Sequence, residues 1–155
     1  MSNEVILMMH PTFGVLGVLA AVWVFVETLN ARNGNLARIR TASLAVTAFI
    51  WAAYLIGGYW YVTFYGPDKE LIKAGPWPLA HGFFMETKEH VFLVMLLIAT
   101  YLPIAAFGNL AASAGARRLV LWSAALVALN GLAMEGAGAV VSMGVKVALL
   151  AKMSI

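Results

Sequence analysis

The chain of 155 residues is 63% hydrophobic and only 11% charged, with a mean hydropathy of +0.88 and no cysteine. A soluble domain is about 25% charged, so a water-soluble globule is excluded; without thiols, so are disulfides, thiolate nucleophiles, iron–sulfur clusters and covalently attached haem. The net charge of +3 comes from basic residues that flank apolar stretches, not from a Lys/Arg-dense face, so nucleic acid is not an expected partner.

Four apolar segments, roughly 11–30, 42–65, 90–110 and 119–140 or longer, are each long enough to cross a hydrocarbon core of about 30 Å at about 1.5 Å per residue. They predict an all-α integral membrane four-helix bundle in one transmembrane domain over 1–155. The first segment has no basic region before it and is too long for a cleaved signal, so it is expected to stay in the protein. It begins near His10-Pro11, where proline suits a first helical turn. Below His10, Gly14, Gly17 and Ala21 share one face. That stripe suits either a flat ligand or close helix packing. No basic residue lies in residues 1–10, whereas Arg32, Arg38 and Arg40 follow the helix, which favours external N- and C-termini. Glu27, close to Arg32, reads as one half of an interfacial ion pair.

The second segment closes with Tyr54, Tyr59, Trp60, Tyr61 and Tyr65. An interfacial aromatic belt is the plain reading, and a π-donor or quinone-stacking ring the sharper one. Gly66-Pro67-Asp68 and Gly75-Pro76-Trp77-Pro78 then break the chain, with one helical turn expected at Lys69–Lys73. His81 reads as an interfacial histidine in contact with water, and as a less favoured metal ligand than His10 or His90. The third segment opens with Glu86-Thr87-Lys88-Glu89-His90, an acidic start that complements the helix dipole and places carboxylates beside a candidate ligand. On the fourth, Gly131, Glu135, Gly138 and Ser142 share a face, with Lys88 or Lys146 as a candidate partner for Glu135. The tail over 140–155 either extends that helix or lies along the surface.

Counting from the arginine-bearing ends, His10, His90 and Glu135 lie about 33, 28 and 25 Å away, near the external boundary. Ionisable groups gathered at one depth in a membrane bundle mark a candidate functional site. Glu135, Glu86 and Glu89 are the candidate proton-handling groups. His10 and His90, on helices that start on the same side, are candidate axial ligands of one haem b, with Gly14 and Gly17 against the macrocycle. Three histidines cannot supply two bis-His haems.

The segments "MMHPTFGVLGVLA" and "ETKEHVFLVMLL" resemble small four-helix membrane b-type cytochromes and the haem-anchor subunits of respiratory complexes. The resemblance implies bis-His ligation by His10 and His90 and a nearby quinone pocket. With one haem at most, electron transfer is expected near the external face with quinol as donor, and the expected partners are membrane or extracytoplasmic redox subunits in the bacterial inner membrane. The chain departs from the two-haem pattern in lacking a fourth histidine. The alternatives are a non-haem metal site using His10, His81, His90 and the neighbouring glutamates, and a non-redox structural or assembly subunit, homo-oligomeric or not. Four helices in a chain of this length also fit the membrane glutathione-transferase family, but its Arg-rich helix pattern is missing.

Overall fold

The computed structural model describes residues 3–154; Met1, Ser2 and Ile155, and with them the extreme termini, lie outside the described residues. Five α-helices and one π-helical turn form in chain order: α1 (Asn3–Leu29), α2 (Leu36–Phe64), α3 (Gly66–Ala74), the π-turn (Ala80–Met85), α4 (Glu86–Ala106) and α5 (Ala114–Met153). The four long helices are those expected, and each is long and apolar enough to cross a membrane. They start earlier or run later than the apolar segments because the flanking polar residues also form helix. Pro11 therefore lies inside α1 instead of in its first turn, and its missing N–H leaves the Leu7 carbonyl without the usual helical donor.

The helices pack as a ring, α1 on α2, α2 on α4, α4 on α5 and α5 back on α1. Val24, Ile39, Val46, Ile50, Ala99, Leu102, Val120 and Val127 fill the centre. Large apolar side chains also face outward: Leu19, Trp23, Leu55, Leu97, Ile104, Trp122 and Leu129 are each more than half exposed. Leaving such side chains in water costs up to about 1.5–3 kcal/mol each, which a bilayer removes. The chain is an integral membrane protein by this pattern.

Polar groups at the arginine-bearing end close the helix termini. Asn35 is buried; its Oδ1 accepts from Arg32 N at 2.8 Å and its Nδ2 donates to the Glu27 carbonyl at 3.0 Å. Arg38 pairs with Glu27 at 3.1 Å, as the sequence position of Glu27 suggested for an interfacial acid, although with Arg38 in place of Arg32. Arg40 caps the end of α4, donating to the Ala106 carbonyl at 3.4 Å and lying 5.3 Å from the Phe107 ring centroid. Within α4, Pro103 has no N–H to offer the Ala99 carbonyl. The Thr47 hydroxyl of α2 takes that place, donating to Ala99 O at 2.6 Å.

At the opposite end α5 settles the fate of the tail. Its 40 residues make a rod of about 60 Å, twice a bilayer core, and its last turns are covered by α3 and the π-turn. Ile72, Ala80, Val141 and Tyr65 form a second small core there. No described residue has a positive φ, so the glycines here act through their missing side chains. A Cβ on Gly144 would sit 2.6 Å from that of Ala80, and one on Gly75 would sit 2.6 Å from that of Ala148.

Candidate functional site

The fold brings together His10 of α1, Lys88 of α4 and Glu135 of α5, all at the end of the bundle away from the arginines. His10 Nδ1 lies 2.8 Å from the Ala53 carbonyl of α2. A carbonyl only accepts, so Nδ1 carries the proton and Nε2 of the neutral ring is an acceptor. The Lys88 Nζ ammonium faces that acceptor at 3.4 Å. The ring can reach a main-chain carbonyl on a neighbouring helix because Gly57, one turn on from Ala53, has no Cβ; an added Cβ would collide with the imidazole.

Glu135 lies on the same cluster from the other side. Its carboxylate fills the space beside Gly14, and Lys88 Nζ lies 3.1 Å from where a Cβ on Gly138 would stand. The Lys88 and Glu135 charges attract each other. With His10 neutral, Lys88 protonated and Glu135 ionised, the cluster carries no net charge, which makes two half-buried charges tolerable in a low-dielectric setting.

The small-residue stripe below His10 is thus occupied by the protein itself. Glu135 sits at Gly14, and the Ile50 side chain sits at Gly17, its Cδ1 2.6 Å from an added Cβ. Of the two readings the stripe allowed, close packing describes what lies there.

His90 is placed apart. It is exposed, and its Nδ1 donates to the Glu86 carbonyl of its own helix at 2.7 Å. Lys88 faces His10, and a residue two positions further on α4 lies about 200° round the helix, so His90 points away from the bundle. His10 and His90 do not face a common space, and the arrangement does not fit a haem gripped between them within one chain. Nor, among the described residues, do three or more His, Asp or Glu side chains converge as a metal-binding group.

His81 differs from the expectation of a water-exposed loop histidine. Only 3% of it is accessible, because the π-turn folds it under the end of α2. Its Nδ1 lies 3.1 Å from the Tyr65 hydroxyl and its Nε2 lies 3.4 Å from a carboxylate oxygen of Glu86. The carboxylate accepts, so Nε2 carries the proton and Nδ1 accepts from the phenol. Nearby, the Tyr61 hydroxyl lies within the electrostatic reach of Glu89, whose Oε1 is buried without a hydrogen-bond partner among the described residues. Glu86 and Glu89 thus serve this outer group, and Glu135 serves the inner one.

Sequence reasoning found His10 and Glu135 and named Lys88 or Lys146 as a partner, but missed Ala53 and Gly57; it read Tyr65 as a belt or stacking ring and did not pair it with His81. The contact between the Tyr61 and Tyr65 rings was foreshadowed by their spacing, four apart on one helical face. No protein-family model matches the chain, and no curated protein or solved structure shows significant similarity to it.

Proposed function

We propose that the protein is a proton-handling membrane subunit, placed in the bacterial inner membrane with its N-terminus outside, which takes up and releases protons at its outer side. One observation carries this reading: three ionisable side chains from three helices, His10, Lys88 and Glu135, meet inside an apolar bundle, with Lys88 Nζ 3.4 Å from His10 Nε2. Ionisable groups in membrane segments are costly and mark proton or substrate paths. Purely structural polar ties also occur, and the difference lies in whether the cluster titrates. From its neutral resting state it accepts one proton, either at His10 Nε2 as Lys88 swings away or on the Glu135 carboxylate. Towards the arginine end the core is made of Val24, Val46, Ile50, Leu102 and Val127, so exchange is with the outer side alone. Such a group suits a partner subunit that oxidises a quinol and must release protons there.

The test is infrared difference spectroscopy on the protein in nanodiscs across a pH step. The reading expects a protonated-carboxyl band that disappears in Glu135→Gln and shifts its midpoint in Lys88→Met. A band unchanged by Glu135→Gln would end it.

A haem remains as a second reading, supported by His90: its Nδ1 bond to the Glu86 carbonyl leaves Nε2 as an outward-facing acceptor, the tautomer that metal-ligating histidines use. In that case the second axial ligand comes from another chain. A reduced-minus-oxidised spectrum decides: a b-type band lost in His90→Ala and kept in His10→Ala supports a haem between chains, and no band after haem supplementation removes it.

A further inference from the structure

We propose that Tyr65 is a redox-active tyrosine, giving one electron to a radical oxidant at the membrane surface while its phenolic proton passes to His81. This rests on the outer group alone and is independent of the proton-handling reading.

Three features distinguish the Tyr65 and His81 pair from a buried hydroxyl that has merely found a partner. The first is direction. Tyr65 and His81 are 2% and 3% exposed, and with His81 Nε2 committed to Glu86, Nδ1 is an empty base 3.1 Å from the phenol. Losing an electron makes a phenol a strong acid, and a base in hydrogen-bond contact lets the proton leave with the electron, which avoids a buried phenol cation.

The second is charge. The imidazolium so formed sits 3.4 Å from the Glu86 carboxylate, and Asp68 and Glu89 also act on Tyr65 through their charges. Burial and these acids hold the Tyr65 phenol well above the usual tyrosine range, so it is kept as a neutral phenol at rest.

The third is a route for the electron. The Tyr61 ring stacks on Tyr65 at 5.2 Å and 25°, and the Trp60 ring lies at 5.8 Å. Both rings are only partly buried, so oxidising equivalents arriving at the surface reach Tyr65 through oxidisable rings in contact.

The step balances with a peroxyl-type radical as oxidant. The radical takes one electron from Tyr65 and one proton from water to become a hydroperoxide, leaving a hydroxide ion that balances the charge of the imidazolium. Tyr65 becomes a neutral phenoxyl radical, its O–H bond broken, and the proton forms the N–H of the His81 imidazolium. A phenolic or quinol reductant at the surface returns the electron, and His81 returns the proton.

The test uses the whole chain in nanodiscs, with flash-generated tris(bipyridyl)ruthenium(III) as the one-electron oxidant, read by transient absorption and electron paramagnetic resonance. A neutral tyrosyl signal is expected in the unaltered protein. It should be lost in Tyr65→Phe, which removes only the hydroxyl, and kept in Tyr59→Phe. In His81→Gln, where an amide can accept the hydrogen bond but not the proton, the signal should form at least tenfold more slowly, with a changed deuterium isotope effect. Ring-deuterated tyrosine in the unaltered chain identifies the radical as tyrosyl whether or not a variant folds. A tyrosyl signal that survives Tyr65→Phe, or forms equally fast in His81→Gln, overturns the proposal.

Discussion

Gly57 and Gly58 are neighbours on α2, yet alanine should act on them in opposite directions. At Gly57 a Cβ would collide with His10, lying 2.6 Å from Cε1 and 3.0 Å from Cγ of the imidazole. The ring cannot retreat without giving up its 2.8 Å bond to the Ala53 carbonyl. Forcing a carbon into a packed site costs about 1–3 kcal/mol, and leaving a half-buried polar group unsatisfied costs about 1–3 kcal/mol more, so Gly57→Ala should destabilise by roughly 2–6 kcal/mol. At Gly58 nothing lies within 4 Å of an added Cβ. There alanine only stiffens the unfolded chain and favours the helix, a gain of about 0.5–1 kcal/mol. Reversible unfolding in mixed micelles, followed by circular dichroism, measures both. Because His10 must move, Gly57→Ala should also shift the midpoint of the carboxyl band of Glu135, and Gly58→Ala should leave it in place. Equal effects of the two substitutions on stability would refute the placement of His10 against α2.

Other consequences can be checked in the same system. Thr47→Val removes the donor that replaces the missing N–H of Pro103 at the Ala99 carbonyl, and should cost about 1–3 kcal/mol; a neutral result would mean that carbonyl has another donor. Gly144→Ala drives α5 off the π-turn at Ala80, so proteolysis within 65–85 should accelerate while the four long helices stay folded; concerted unfolding of the whole chain would contradict this division. Burial raises the Asp68 carboxyl above its usual range, so the folded state holds that proton more tightly than the unfolded chain. Its stabilising contribution is then complete below the unfolded pKa of about 3.9 and is lost as pH rises through the folded value. The melting temperature of Asp68→Asn minus that of the unaltered protein should therefore rise between pH 4 and pH 7, and a flat or falling difference would count against a desolvated Asp68.

The sequence by itself determined the membrane class, the number of long helices and the depth of the polar groups. Each follows from quantities local to the chain: hydropathy summed over a window, a fixed rise per residue, and the positions of a few charges. That is why His10 and Glu135 could be placed at one level, and why Lys88 could be named as a partner for Glu135. What depth cannot give is rotation. His90 sits at the level of the cluster and carries the same chemistry as His10, yet two residues beyond Lys88 it points out of the bundle; only the packing of α4 against α2 and α5 decides which face turns inward. The glycine stripe under His10 was equally legible as a ligand groove until Glu135 and Ile50 were seen to fill it. His81 and Tyr65 were hidden for a related reason. Proline and glycine mark residues 66–78 as a break in the chain, but whether the returning segment lies in water or folds over the end of α5 depends on contacts with Val141 and Gly144, more than sixty residues away in sequence. Depth is a property of one helix, whereas a site needs the relative rotation of several, which only side-chain packing between them sets.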